Sequence, residues 1–290
     1  MAEQREFDPL RAADQFPAPG YFVRPEIAAE TGLIEAVQAR LIHSGFVRER
    51  VPLAALHRHV PAEAAQLNEH YTNAVSRAFY APCDGVTGAY HALLARIARD
   101  VFPRDFLFQA QPIVRFHFPV PFPEGLRGAD GQPRQIHSDL LGGHPAEMIQ
   151  GWVALTDCEG SAALQCAPRG ESIALLREYK DALGAGDPPF CDSLRHFYRY
   201  ADRVPEFGRA VEGVCRPVSM RAGDALFFDP RCLHGGAENT TGRTRVSLDF
   251  RLLPVEAEGA TLAAAATPAA RRFCRGEVFH AASARTMFGA

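Results

Sequence analysis

The stretch Arg134-Gln135-Ile136-His137-Ser138-Asp139 is the point from which the organisation of this chain can be worked out. Its histidine and its aspartate are two residues apart, so on a β-strand both side chains point to the same face. A third candidate, His234, follows 95 residues after Asp139. Two imidazoles and one carboxylate form a set that binds non-haem Fe(II) on one side and leaves its other positions open. The pattern predicts an open iron site, with His137 and Asp139 on one strand.

Composition and charge exclude several classes of protein. The 290 residues are 47% hydrophobic and 22% charged, an ordinary balance for a globular protein. A net charge of -3 argues against a nucleic-acid-binding protein that depends on phosphate contacts. The seven cysteines form no CxxC pair, which favours a reducing compartment over a disulfide framework or a zinc site. We find neither a signal-peptide pattern nor a run of 18 apolar residues, so a cytoplasmic protein without a membrane segment is expected.

The first third of the chain is predicted to be helical after an extended arm over residues 1–26. Apolar residues recur at helical spacing over 27–43, 62–80 and 85–101. In the last of these segments, Tyr90 and Ile97 belong to one apolar stripe. These helices are expected to buttress a sheet.

Short strands are predicted after Pro103, where aromatic and β-branched residues become frequent. The predicted strands span 106–108, 113–118, 148–156, 163–167, 214–220, 225–228 and 245–253. Between them lie a Pro/Gly-rich loop at 119–133 and a mostly helical insert at 171–212, and an alanine-rich helix is predicted at 259–271.

This order of elements predicts a mainly β fold with flanking helices and a double-stranded β-helix core, a cupin-like jelly roll. We expect a single domain over 1–290, in which an arm and helices (1–103) precede the jelly-roll core (104–254). The 171–212 insert is expected to act as a lid, and 255–290 as a C-terminal tail. In such a fold, ligand sites open between the two sheets.

A second chemical signal follows His234, which stands after an apolar strand and before Gly235 and Gly236. Glycines there would let the backbone approach a ligand closely. Arg245 and Ser247 come next and share a face of the last predicted strand. An arginine fork with a nearby hydroxyl can bind a carboxylate, as the far end of a dicarboxylate cosubstrate requires.

His-x-Asp, a distant histidine and Arg-x-Ser together resemble the Fe(II)/2-oxoglutarate-dependent dioxygenases. The segment Gly151-Trp152-Val153-Ala154-Leu155-Thr156-Asp157 is similar to a strand of their phytanoyl-CoA dioxygenase branch. The stretch that follows in that branch ends in Pro-Gly-Ser-His, and the last part of the corresponding residues 164–172 departs from this pattern. The closing Arg245-Val246-Ser247-Leu248-Asp249-Phe250-Arg251 is similar to bacterial natural-product hydroxylases. The resemblance spans roughly 111–254.

The resemblance implies a role for each matched residue. His137, Asp139 and His234 would bind Fe(II), and Arg245 with Ser247 would bind 2-oxoglutarate. Trp152 would lie beside the cosubstrate or serve as a core aromatic. A polar residue from an earlier strand would also contact it, and the candidates are Gln111, Arg115 and His117.

The resemblance also implies hydroxylation of an unactivated C–H bond with O2. Related halogenases replace the carboxylate ligand with a small residue, so Asp139 argues against halogenation. A non-oxidative cupin-like isomerase or ligand-binding protein is the alternative; it would not need Arg245 and Ser247. The basic and aromatic cluster 195–203 suggests a small-molecule substrate that is anionic or amino-acid-like, or else a solvated helix face. Nothing in the sequence indicates the oligomeric state.

Three further residues are given other roles. His144 follows two glycines and precedes Pro145, so we interpret it as a turn residue and not as a ligand. Arg251 shares the face of Arg245 and is expected to pair with Asp249 or a neighbouring strand. Arg243 is interpreted as a turn residue.

Overall fold

The protein consists of two facing antiparallel sheets between layers of helix. The computed structural model describes residues 10, 16–68, 71–102, 104–124, 127, 135–255, 279 and 282–289. Within these ranges, no helix is both long and apolar enough to cross a membrane. The alanine-rich helix predicted at 259–271, most of the predicted arm before Phe16 and much of the 119–133 loop lie outside the described residues.

Nine strands build the two sheets. They are β1 (Tyr21–Arg24), β2 (Phe106–Phe108), β3 (Ile113–His117), β4 (Ile149–Ala154), β5 (Leu164–Cys166), β6 (Arg216–Val218), β7 (Ala225–Phe228), β8 (His234–Gly235) and β9 (Arg245–Pro254). The larger sheet has the order β1-β7-β4-β9-β2, and β3 also pairs with β9. The smaller sheet has the order β6-β5-β8. This arrangement agrees with the predicted jelly-roll core.

Strand β9 separates the apolar core from the space between the sheets. Its even-numbered residues, among them Val246 and Leu248, are buried in the core that the larger sheet shares with the N-terminal helices. Its odd-numbered residues point the other way, and Arg245, Asp249 and Arg251 line a cavity. The period-two alternation of a strand therefore turns one sequence pattern into a core face and a functional face.

Eight helices flank the sheets within the described residues. They are α1 (Leu33–His43), α2 (Ala62–Ala65), α3 (Ala74–Arg77), α4 (Asp84–Asp100), α5 (Arg169–Asp181), α6 (Leu194–Arg203), α7 (Pro205–Val214) and α8 (Ala284–Phe288). Helix α4 packs on the larger sheet, where the ring of Tyr90 lies 5.7 Å from that of Phe250. Helices α5, α6 and α7 share a second apolar cluster with Leu140, Leu141 and Leu233. The N-terminal helices share the apolar core cluster of the larger sheet.

Several predicted boundaries were wrong for local reasons. The arm contains strand β1, which pairs with β7. The helix predicted at 27–43 begins at Leu33, because Glu26 and Glu30 adopt positive φ. The helix predicted at 62–80 is two short helices: Tyr71 has a φ of 55°, and the side chain of Asn73 caps α3 by accepting from Ser76 N–H at 2.9 Å. Strand β6 is shorter than predicted because α7 continues to Val214.

Candidate active site

A cavity of about 720 Å³ opens between the two sheets. The larger sheet contributes charged and aromatic side chains from β3, β4 and β9. The smaller sheet contributes His234 and Gly235, and helix α6 contributes Leu194, Arg195 and Tyr198. The cavity therefore lies where a jelly roll is expected to bind a ligand.

Three candidate metal ligands meet in this cavity. One ligand atom from each of His137, Asp139 and His234 lies within 4.8 Å of the other two. Asp139 Oδ1 lies 3.5 Å from His137 Nε2 and 3.9 Å from His234 Nε2. Among the described residues this is the one such group of three that could hold a metal ion. The three residues that the sequence predicts as metal ligands therefore lie together.

The main chain orients both imidazoles for binding. His137 Nδ1 lies 2.7 Å from the carbonyl oxygen of Gln135, and His234 Nδ1 lies 3.0 Å from that of Cys232. Because a carbonyl oxygen only accepts, each Nδ1 carries the proton and each Nε2 keeps its lone pair. The donor set of two neutral imidazoles and one carboxylate fits Fe(II).

Electrostatics keep the three groups in the protonation states that a metal needs. Burial, and next the charge of His137, lower the pKa of His234 to about 4. Burial opposes ionisation of Asp139, but the electrostatic interactions with His144, His137 and Arg251 outweigh it and hold the pKa of Asp139 well below its usual range. At neutral pH the site therefore offers one anion and an unprotonated His234.

The local conformation of the His-x-Asp pair differs from the prediction. His137 forms an isolated antiparallel bridge with His234, with backbone N–H···O distances of 2.9 and 2.8 Å. Asp139 is not on a strand but begins a 3₁₀ helix that ends at Gly142. The Ser138 hydroxyl caps this helix by accepting from Leu140 N–H at 3.3 Å and donates to the Pro230 carbonyl at 2.7 Å. The strand prediction for Asp139 was wrong.

The space beside the two glycines after His234 is occupied by Gln135 and Ile136 of the protein itself. A Cβ on Gly235 would approach Ile136 Cα to 3.0 Å and would overlap the backbone of Gln135. A Cβ on Gly236 would lie 2.5 Å from Gln135 Oε1. Gly235 thus allows the close antiparallel approach that places His137 against His234.

The predicted carboxylate-binding residues lie on the cavity side of β9. Arg245 is buried, and its guanidinium lies 5.6 Å from the centre of the Trp152 ring. Its Nη1 is 3.5 Å from the Ala162 carbonyl, whereas its Nε has no hydrogen-bond partner among the described residues. Ser247 is fully buried without lining the cavity, and its Oγ has no partner either in that part of the chain. Unsatisfied buried donors are costly, so this pair fits an anionic ligand such as a carboxylate of 2-oxoglutarate.

The three candidates from the earlier strand have different surroundings. His117 lines the cavity opposite Arg245 in the β3–β9 register, and neither of its ring nitrogens has a partner among the described residues. Arg115 lines the cavity but forms an ion pair with Asp249. Gln111 does not line the cavity; its amide donates to the carbonyls of Phe79 and Tyr80 at 3.3 and 2.7 Å. The structure does not bring Gln111 to the site.

Two further residues considered in the sequence, His144 and Arg251, lie close to Asp139. His144 lies beside Asp139 but is not one of the clustered ligands. Arg251 was expected to pair with Asp249 or with a neighbouring strand. Its Nη1 donates to Gln109, directly after the neighbouring strand β2, at 3.4 Å, and its Nη2 lies 3.7 Å from Asp139 Oδ2. Sequence reasoning missed Gln150, a buried cavity residue. Alternation from Trp152, two residues further along the same strand, was the signal that could have found it.

A comparison with protein families assigns the chain. The sequence model described as phytanoyl-CoA dioxygenase (PhyH) matches residues 57–247, a range that includes the three clustered ligands and Arg245. The chain belongs to the phytanoyl-CoA dioxygenase family. It is accordingly an oxygenase of the 2-oxoglutarate-dependent class, and Fe(II), 2-oxoglutarate and O2 are its cofactor and cosubstrates. The resemblance inferred from the motifs is confirmed.

Solved structures similar to this chain include those of three further proteins. The non-heme alpha ketoglutarate dependent epimerase SnoN from nogalamycin biosynthesis is 17% identical over 81% of this chain and 78% of its own, with a TM-score of 0.39. The non-heme alpha ketoglutarate dependent carbocyclase SnoK from the same biosynthesis is 14% identical over 88% of this chain and 92% of its own, with a TM-score of 0.41. HygX from Streptomyces hygroscopicus, with nickel and 2-oxoglutarate bound, is 15% identical over 82% of this chain and 84% of its own, with a TM-score of 0.40. Among the curated proteins, no match was found.

Proposed function

We propose that this phytanoyl-CoA dioxygenase family member hydroxylates an unactivated C–H bond of a small molecule, in bacterial secondary metabolism. The observation that carries the proposal is the cluster of His137, Asp139 and His234 at the wall of a cavity large enough for a cosubstrate and a substrate. The similarity of residues 245–251 to natural-product hydroxylases supports the metabolic context.

Each residue of the site has a proposed task. His137, Asp139 and His234 hold Fe(II), and Arg245 with Ser247 binds the far carboxylate of 2-oxoglutarate. When bound, Fe(II), 2-oxoglutarate and O2 would together supply the oxidant that replaces C–H by C–OH, and 2-oxoglutarate would be converted to succinate and CO2. Trp152 packs against the Arg245 guanidinium and keeps it directed into the cavity. His117 is the residue from the earlier strand that we favour for the cosubstrate, because it lines the same cavity and its ring nitrogens have no hydrogen-bond partner among the described residues.

Asp139 favours hydroxylation over halogenation. Its carboxylate occupies the position at which a halide would have to bind, and the charge of Arg251, 3.7 Å away, helps to keep it ionised. The non-oxidative cupin-like alternative has no need of the buried Arg245 and Ser247, and no observation favours it.

The assay that tests this function measures succinate. Purified protein with Fe(II), 2-oxoglutarate and air should form succinate, faster when the true substrate is present, and Fe(II) added anaerobically with 2-oxoglutarate should give a visible absorption band. Asp139→Ala should abolish both signals, because two neutral ligands hold Fe(II) far less tightly than two with a carboxylate. Retention of hydroxylation in Asp139→Ala would show that the ligand set is wrong, and absence of the band in the unaltered protein would refute the oxygenase assignment.

We infer further that residues 171–212 form a lid of a single domain and that the substrate is anionic or amino-acid-like. Helix α6 supports both ideas, since its residues Leu194, Arg195 and Tyr198 line the cavity. Arg199, on the same helix, does not line it and is exposed. The predicted basic cluster therefore contributes one cavity arginine and one surface arginine.

These two arginines provide a matched pair of variants. Arg195→Ala should raise the KM for the substrate by up to about fivefold, because loss of one exposed charge contact costs on the order of 1 kcal/mol. Arg199→Ala should leave that KM unchanged. Steady-state kinetics of succinate formation at saturating 2-oxoglutarate would measure both, and an equal KM for Arg195→Ala and the unaltered enzyme would remove the anionic contact from the proposal.

A further inference from the structure

An ion pair in the cavity wall uses only one of the two carboxylate oxygens of its aspartate among the described residues. Arg115 on β3 donates through Nε to Oδ2 of Asp249 on β9. Both residues line the cavity, and 40% of the Arg115 side chain and 18% of the Asp249 side chain are exposed. A pair needed only to join two strands would not have to face the space that holds the substrate.

The unused atoms of this pair point to a ligand with two opposite charges. Asp249 Oδ1 is buried and has no hydrogen-bond partner among the described residues. Arg115 contacts Asp249 through Nε, which leaves its two Nη groups to donate to an anion. The nearby Gln150 Nε2, on the adjacent strand β4, is a second buried donor without a partner in the described part of the chain.

The pair also lies close to the reacting centre. Asp249 is two residues from Arg251 on the same face of β9, and Arg251 reaches to 3.7 Å from Asp139. Trp152 on β4 is the register partner of Asp249. A small molecule bound at Arg115 and Asp249 therefore lies near the candidate metal ligands.

Given the proposed function, the geometry points to Arg115 and Asp249 as the recognition element for a small α-amino acid substrate. The Nη groups of Arg115 donate to its carboxylate, and Asp249 Oδ1 accepts from its ammonium group. An α-amino acid leaves the charge of the ion pair balanced and satisfies both sides. A carboxylic acid lacking the amine would leave Oδ1 buried beside another anion, and an amine lacking the carboxylate would leave the Nη groups without an acceptor.

The inference is tested on the anaerobic enzyme with Fe(II) and 2-oxoglutarate. The twenty proteinogenic L-α-amino acids are added singly, and the shift of the visible band and the calorimetric Kd are recorded. For each amino acid that binds, the acid without its amine and the amine without its carboxylate are measured alongside. We expect at least one amino acid to bind, with both analogues at least tenfold weaker. The inference is overturned if no amino acid binds or if either analogue binds equally well.

Variants separate recognition from structure. Asp249→Asn should weaken the amino acid at least tenfold and leave the amine-free acid as tight or tighter. Arg115→Gln should weaken both of these ligands at least tenfold and leave the amine unchanged. Arg177→Gln, an exposed arginine of α5 outside the cavity, serves as the matched control and should change nothing. Equal weakening of all three ligands by Asp249→Asn would mean that the pair is only structural.

Two controls keep the result interpretable. The double variant Arg115→Gln/Asp249→Asn replaces the ion pair with two neutral amides, so it avoids a lone buried charge and should retain the band while losing the preference for amino acids. Failure of the band in the unaltered enzyme would refute the proposed oxygenase function. A normal band without amino-acid binding would refute this inference alone.

Discussion

Arg245 shows how burial can create a need for an anion. Burial lowers the pKa of its guanidinium from the usual value, yet an arginine remains charged at neutral pH. The Trp152 ring and the Ala162 carbonyl contact this charge without neutralising it. The cationic side chain is stabilised when a carboxylate binds to it, which suits the far end of 2-oxoglutarate.

Replacing Arg245 should therefore weaken the cosubstrate and spare the metal. We expect Arg245→Gln to raise the KM for 2-oxoglutarate by about 10- to 100-fold, since a hydrogen bond to a charged group contributes about 1.5–3 kcal/mol. Fe(II) affinity, measured by anaerobic titration without 2-oxoglutarate, should stay the same. Arg243→Gln, an exposed neighbour, is the control. An unchanged KM in Arg245→Gln would place the carboxylate elsewhere.

At the residue level, motif spacing predicted more than strand alternation did. The three clustered ligands and Arg245 were recognisable because each belongs to a spaced motif. Gln111 was wrongly included because alternation holds only within a strand, and β3 begins two residues later at Ile113. Asp249 was interpreted only as an ion-pair partner, since no sequence pattern shows which arginine reaches it.

The position of His234 depends on a close contact between its own backbone segment and the backbone segment of His137. His234 and His137 exchange two backbone hydrogen bonds, and Gly235 allows this approach. Upstream, buried Asp229 accepts from Arg231 at 2.9 Å and from Arg169 at 3.2 Å. The sequence identified the histidines but not the 3₁₀ turn at Asp139, because its Ser138 cap depends on a carbonyl 92 residues away.

A methyl group at Gly235 should disturb the metal site through the backbone. Gly235→Ala places Cβ against Gln135 and Ile136, so the bridge between His137 and His234 must open. Overpacking of this kind costs about 1–3 kcal/mol, and we expect a lower Tm and a weaker anaerobic Fe(II) band. Gly213→Ala, in α7 with open space around its Cβ position, should lower neither signal, because alanine is the better helix former. A normal band in Gly235→Ala would show that the bridge tolerates separation.

Across the whole molecule, the two sheets enclose ionisable groups that the helices shield from solvent. Apolar periodicity predicted this layering because α4 and β9 each present one continuous buried face. It could not predict the breaks at Glu26, Glu30 and Tyr71, which adopt positive φ although they are not glycines. The same enclosure keeps His117 buried and lowers its pKa well below the usual value, through burial and then the charge of Arg245.

The pH dependence of stability should follow from these buried histidines. In the chelator-treated protein His234 has a pKa of about 4, whereas in the unfolded chain a histidine titrates near pH 6.5. Between these values the unfolded state binds more protons, so stability falls as pH decreases. His234 alone should cost about 2 kcal/mol between pH 7 and pH 5, and His117 acts in the same direction.

Thermal unfolding from pH 7 to pH 5 would measure this loss. Asp139 does not obscure it, because a carboxylate with a lowered pKa loses its stabilising effect only as pH falls further, through the acid range. His117→Asn removes one of the two buried imidazoles, so its Tm should depend less steeply on pH than that of the unaltered protein. A Tm that stays level from pH 7 to pH 5 would contradict the expected loss from both imidazoles, and an equal slope in both proteins would mean that His117 is protonated or solvated in the fold.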